Sequence, residues 1–164
     1  MGLIKKAIKR IDFDNRNYYS DYTVPIQDCI KGLKSSISIL SKIKSNKFAE
    51  ATDKKSIKEY KDKAIFDIEY YLKHLDDKYD YFLRVLSEYN SMTKIYAQDP
   101  SFKQEVKHML QFKKEFRVEF EKIYNDFKRV SKGYNYPGRK EILGMMRRVF
   151  DFDSSKYNEI SLQQ

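Results

Sequence analysis

The sequence predicts an all-α protein, an elongated antiparallel helical bundle in which two long helices pack in a coiled-coil-like manner. Apolar residues recur at steps of three and four along most of the chain, which is the spacing of helices that bury one narrow seam. The 164 residues include only five glycines and three prolines, so there is little material for strands and tight turns. The pairs Thr52-Asp53 and Asp99-Pro100 have the composition of helix starts.

Residues 1–13 are predicted to form a short amphipathic helix. Its apolar and basic side chains fall on opposite faces. The apolar face consists of Leu3, Ile4, Ala7, Ile8 and Ile11, and the basic face consists of Lys5, Lys6, Lys9 and Arg10. So short a helix is marginal in water by itself. We therefore expect it to dock on its own bundle, on an anionic membrane surface or in a groove of a partner protein.

Residues 14–150 are predicted to form the bundle domain. Residues 12–23 have no clean period and are expected to be a linker, and Pro25 is expected to start a helix that fades near Lys44. The next helix is expected from about Lys54 to Ala97. Its seam advances by four or three residues at every step, at Ala64, Ile68, Leu72, Leu75, Tyr79, Phe82, Leu86 and Tyr89.

A matching seam follows Pro100 and ends at Gly133, where a glycine suits the residue after a helix. Its apolar positions are Phe102, Val106, Met109, Phe116, Phe120, Ile123, Phe127 and Val130. Because the connection to the preceding helix is short, the two helices should be antiparallel neighbours. We expect Tyr79, Phe82 and Leu86 to face Phe116, Phe120 or adjacent seam positions. A short helix after residue 138 and a flexible tail over residues 151–164 complete the prediction.

The net charge of +9 favours anionic partners, either nucleic acid or lipid head groups, although solubility alone would also explain it. No apolar run approaches the roughly 20 residues of a membrane-spanning helix. The single cysteine, Cys29, cannot form an intramolecular disulfide, which is typical of a reducing compartment. We expect a cytoplasmic protein that is peripheral at a membrane if the N-terminal helix binds lipid.

Few residue patterns in the chain suggest catalysis. Glu105 and His108 have the spacing of a di-iron ligand pair, but that kind of centre needs a second such pair and the chain has only one other histidine. We expect both residues on a solvated helix face, and Cys29 as a buried, inert thiol. The sequence has no glycine-rich phosphate loop and no cysteine pair for zinc. It therefore predicts no enzymatic activity, no cofactor, no bound metal and no small-molecule substrate.

The favoured function is a non-enzymatic scaffold or adaptor that binds through its surfaces, to a protein partner, to itself or to an anionic membrane. The alternative is a nucleic-acid-associated accessory protein. Interleaved aromatic and basic residues near the C-terminus could stack on bases and neutralise phosphates, although they would equally suit a polar face over an apolar core. These residues are Tyr134, Tyr136, Arg139, Lys140, Arg147 and Arg148.

Overall fold

The computed structural model describes residues 20–92, 95–96, 98–133 and 138–151. Within them the chain forms four α-helices and no strand, which confirms the all-α bundle. The helices are α1 (Ser20–Lys44), α2 (Lys54–Ser91), α3 (Pro100–Ser131) and α4 (Arg139–Asp151). None of the four is long and apolar enough to cross a membrane.

Helix α1 runs from Ser20, so the prediction of a linker as far as residue 23 and a helix start at Pro25 was wrong. Proline is disfavoured inside a helix because it lacks an N–H donor and crowds the preceding turn. Pro25 lies only in the second turn, and Thr23 and Ile26 on either side of it are buried. Burial of this first segment against the bundle offsets the cost of the proline.

The end of α1 follows a recognisable capping pattern. Asn46 has a left-handed backbone, with φ of 58°, and the Lys47 N–H donates to the Lys42 carbonyl at 2.8 Å. Together with the hydrogen bond from the Asn46 N–H to the Ile43 carbonyl, this is a Schellman motif, which satisfies carbonyls that the helix end would leave unpaired. The predicted fading of the helix near Lys44 is confirmed.

Helix α2 has 38 residues and is about 57 Å long at 1.5 Å per residue. Its predicted start is confirmed, because the Asp53 carboxylate accepts from the Ser56 N–H at 2.9 Å. Its predicted end at Ala97 was wrong, since the helix stops at Ser91. The chain turns after Met92 and buries the ring of Tyr96, whose centroid is 5.0 Å from that of Phe102. Burial of that ring outweighs the helix propensity of the residues that follow Ser91.

Both predicted ends of α3 are confirmed. The Asp99 side chain accepts from the backbone N–H groups of Ser101 and Phe102, with Pro100 in the first turn. After the helix, Gly133 has φ of 85°, a conformation that favours glycine because it has no Cβ.

Rings from α2 and α3 meet in an antiparallel pair, over residues 79–89 of α2 and 102–116 of α3. The centroids of Tyr79 and Phe116 are 4.1 Å apart, and those of Phe82 and Phe112 are 5.3 Å apart. Nearer the connection, Tyr89 lies 5.8 Å from Phe102. Residue numbers rise on one helix as they fall on the other, so the predicted antiparallel pairing of these helices is confirmed. The finer coiled-coil geometry stays a prediction.

Helix α1 contacts both members of this pair. It is antiparallel to α2, as the ring pairs Tyr22–Tyr81 and Phe48–Tyr60 show. It is parallel to α3, where Lys34 forms an ion pair with Glu119 and the Lys44 ammonium donates to the Arg129 carbonyl at 2.8 Å.

The most extensive helix contact is between α1 and α2. Three small residues of α1, Cys29, Gly32 and Ser36, recur at steps of three and four. At Gly32 the ring of Tyr71 from α2 occupies the space that a Cβ would need. Small side chains therefore allow the two helices to come close together. Cys29 is buried as expected, and burial and the neighbouring Asp28 raise the pKa of its thiol.

Helix α4 packs on α2 and α3. The Phe150 ring lies 5.3 Å from Phe120 and 5.9 Å from Tyr124, and the guanidinium of Arg117 lies over it. The predicted tail over residues 151–164 lies outside the described residues, apart from Asp151 at the end of α4.

Candidate interaction surface

The outward face of α2 carries a row of exposed aromatic side chains. Phe66 is 67% exposed, Tyr70 51% and Tyr81 49%. His74 is exposed as well, and its ring centroid is 4.3 Å from that of Tyr70. We call Phe66, Tyr70, His74 and Tyr81 the aromatic stripe of α2. Single exposed hydrophobic residues are ordinary on a protein surface, whereas contiguous ones mark interaction sites.

The spacing of the first three residues of the stripe explains why they form a continuous row, and Tyr81 lies about two turns further along the same face. Phe66, Tyr70 and His74 follow one another at four-residue steps, which places each side chain next to the following one on the helix surface. The buried positions Ile68 and Leu75 of the same helix lie about half a turn away at 100° per residue. The seam that holds α2 in the bundle therefore leaves the stripe on the opposite, outward face.

Charged side chains of both signs border the stripe. Lys63 and Asp67 form an ion pair at 2.9 Å, and hydrogen bonding to Asp67 raises the pKa of Lys63. Asp80 and Arg84 form a second pair at 3.0 Å, and the Arg84 guanidinium lies 5.9 Å from the centre of the Tyr81 ring. An apolar centre with a charged border is the arrangement typical of protein interfaces.

A cleft of about 420 Å³ runs between α1 and α3. Its walls combine the Phe112 and Phe116 rings with Gln27, Lys31 and Glu115. A smaller cleft of about 280 Å³ adjoins it and reaches His108. These clefts form a concave surface on the α1–α3 side of the bundle, with mixed apolar and polar walls.

Glu105 and His108 do not share one environment. The Glu105 side chain is buried, at 9% exposure, whereas His108 is exposed. The expectation that both lie on a solvated face was therefore wrong for Glu105, which faces inward one turn from the Phe102 end of the core. Among the described residues, no group of three or more histidine, cysteine, aspartate or glutamate side chains could hold a metal ion.

The basic residues of α4 fall into two kinds. Arg139 is partly buried, and its guanidinium donates to the Ser131 hydroxyl at 2.9 Å and to the Lys128 carbonyl at 3.2 Å. It thus fastens the start of α4 to the end of α3. Lys140, Arg147 and Arg148 are exposed. The nucleic-acid hypothesis rests on these three, since Tyr134 and Tyr136 lie outside the described residues.

The predicted N-terminal binding segment also lies outside the described residues. The residues predicted to bind are Leu3, Ile4, Lys5, Lys6, Ile8, Lys9, Arg10 and Ile11. The aromatic stripe, by contrast, was not predicted from the sequence. The four-residue spacing of Phe66, Tyr70 and His74 could have indicated it, because these residues fall opposite the apolar seam.

Comparison of the chain with protein-family models, with curated proteins and with solved structures found no match.

Proposed function

We propose that this chain is a non-enzymatic helical scaffold or adaptor that binds other macromolecules through its surfaces. The observation that carries the proposal is the aromatic stripe of α2, above all Phe66 at 67% exposure. Apolar surface removed from water contributes about 25 cal/mol per Å². A partner that covers Phe66 and Tyr70 gains this free energy, and the bordering charges can set its orientation.

The second part of the proposal concerns residues 1–11. Their basic amphipathic pattern suits contact with an anionic membrane or with a partner protein. Each lysine or arginine near such a membrane contributes roughly 1 kcal/mol. The apolar face adds burial at the head-group boundary. Together they support weak, reversible attachment.

Photo-crosslinking tests the stripe as a binding surface. A benzophenone amino acid replaces Tyr70 in one protein and Glu121, which is exposed on α3, in a control. Both are irradiated in an extract of cells that express the chain. We expect adducts of defined mass from position 70 and none from position 121. Equal yields from the two positions, or no adduct from position 70, would contradict the proposal.

Vesicle co-sedimentation tests the N-terminal segment. The full chain should bind vesicles that contain phosphatidylserine better than vesicles of phosphatidylcholine alone, and binding should weaken as salt screens the charges. Ile4→Asp with Ile8→Asp should abolish binding, because it breaks the apolar face and keeps the basic side chains. If the intact chain ignores anionic vesicles, the membrane part is wrong and a protein partner for this segment is the better explanation.

A further inference from the structure

We propose that the aromatic stripe of α2 binds the same face of a second copy of this chain, with the two α2 helices antiparallel and a twofold axis beside Tyr70. The inference rests on the proposed function, because it names the partner of the surface described there. The order of charges and rings along the stripe supports this pairing.

An antiparallel pair centred on Tyr70 brings complementary side chains together. Across such an axis, a residue that lies a given number of positions before Tyr70 meets the residue of the second chain that lies the same number of positions after it. Phe66 then lies opposite the partner subunit's His74, and Lys63 lies opposite the partner subunit's Asp77. Symmetry repeats each contact, so the interface has two ring contacts and two ion pairs around a central pair of Tyr70 rings.

Two registers in which the axis lies nearer the C-terminal end of α2 bring like charges together. Centring the pair on Leu72 would place Asp67 opposite the partner subunit's Asp77. Centring it between Lys73 and His74 would place Lys63 opposite the partner subunit's Arg84. Each repulsion would also occur twice, and like charges in an interface are strongly disfavoured. The charge order along α2 therefore favours the register centred on Tyr70 over these two, and this register also places Phe66 opposite a ring of the partner.

The participating side chains are accessible in the monomer. Lys63 is 73% exposed even though it pairs with Asp67, and Asp77 is exposed. The face from Glu59 to Tyr81 is about 33 Å long. Each chain offers one helix face of this length to the contact. We therefore expect a reversible dimer that dissociates on dilution.

Analytical ultracentrifugation of the full chain measures the association. The apparent mass should rise from one chain toward two as concentration increases. Phe66→Ser with Tyr70→Ser should raise the dissociation constant by at least about tenfold. Val118→Ser is the matched control, because Val118 is 53% exposed on α3 and lies outside the interface. Circular dichroism shows that each variant remains helical.

Charge reversal tests the register. Lys63→Glu and Asp77→Lys should each weaken the dimer by about tenfold, because each turns two attractive pairs into repulsive ones. The double variant exchanges the signs at both positions and should restore most of the affinity. No other antiparallel register of α2 pairs Lys63 with Asp77, so a double variant as weak as the single ones overturns the proposed register.

Disulfide trapping tests the orientation. In a Cys29→Ala background, Tyr70→Cys places two thiols beside the twofold axis and should give a covalent dimer on oxidation. Tyr81→Cys is the control, since the two thiols would then be about 33 Å apart in an antiparallel pair. Equal trapping at both positions would mean parallel helices and would overturn the proposal.

A chain that stays monomeric at all concentrations also overturns the proposed dimer. Adducts from position 70 to a different protein would then still support the proposed function.

Discussion

The ring of Tyr71 on α2 lies directly against the backbone of α1 at Gly32, in the space where any other residue would carry its Cβ. This contact opposes the usual advantage of alanine as a helix former. The α1–α2 interface therefore favours the smallest side chain at position 32.

Chemical denaturation of Gly32→Ala, alone and combined with Tyr71→Ala, should show that the two positions are energetically coupled. With Tyr71 present, the added methyl displaces the ring, and the substitution should leave the free energy of unfolding unchanged or lower it. With Tyr71→Ala, the same methyl meets no ring and should raise stability by about 1 kcal/mol through helix propensity. Identical effects in the two backgrounds would mean that the ring does not constrain position 32.

Phe116→Ala should destabilise the bundle by about 3–5 kcal/mol, because it empties a ring-sized space against Tyr79. Val118→Ala, on the exposed face of the same helix, is the control and should change stability by no more than about 0.5 kcal/mol. Urea unfolding followed by circular dichroism measures both. Similar losses in the two variants would contradict the placement of Phe116 in the core and of Val118 on the surface.

Arg139→Gln should lower stability by about 1 kcal/mol, because its guanidinium bonds both the Ser131 hydroxyl and the Lys128 carbonyl. The adjacent, exposed Lys140 gives a control with the same change of charge, and Lys140→Gln should have little effect. Thermal unfolding of the two variants under the same conditions measures this difference in stability. If Lys140→Gln is as harmful as Arg139→Gln, net charge and not helix capping explains the loss.

The N-cap of α2 should make stability depend on acid pH. The hydrogen bond from the Ser56 N–H lowers the pKa of Asp53 below its ordinary value, so the folded state favours the carboxylate. The cap then contributes fully above the unfolded value of about 3.9, and its contribution is lost as the pH falls through the lower, folded pKa.

A carboxyl titration by nuclear magnetic resonance measures this pKa, and Asp53→Asn provides the control for stability. Asparagine is also a good N-cap but has no proton to exchange in this range. The variant should therefore lose this part of the acid dependence. A titration of Asp53 at or above the ordinary value would rule out the proposed cause.

Helix existence, the caps of α2 and α3 and the buried seams could be predicted because they depend on local residue order. Apolar residues spaced three and four apart identify which side chains share a helix face. An aspartate that can accept from the unpaired N–H groups of the first turn identifies a helix start. The pairing of Tyr79 with Phe116 followed from two such seams joined by a short connection.

The errors arose where tertiary burial outweighs local preference. Pro25 favours a helix start, but the buried Thr23 extends α1 beyond it. The stripe was missed for a related reason. Ile65 and Phe66 are adjacent apolar residues, yet Ile65 is 4% exposed and Phe66 67%. Their order in the chain does not say which one the neighbouring helices cover, because that depends on where α1 and α4 pack.

The parallel placement of α1 beside α3 has a consequence for the order in which the chain folds. Lys44 meets the Arg129 carbonyl across 85 residues of sequence, whereas α1 and α2 are joined by a short connection. As the chain is synthesised, α1 and α2 can pair as soon as both have emerged. The side of that hairpin that will contact α3 stays uncovered until residues beyond 100 follow. In this interval the apolar side chains of the hairpin that later contact Phe116 face water. Nascent chains are most prone to aggregate at this stage.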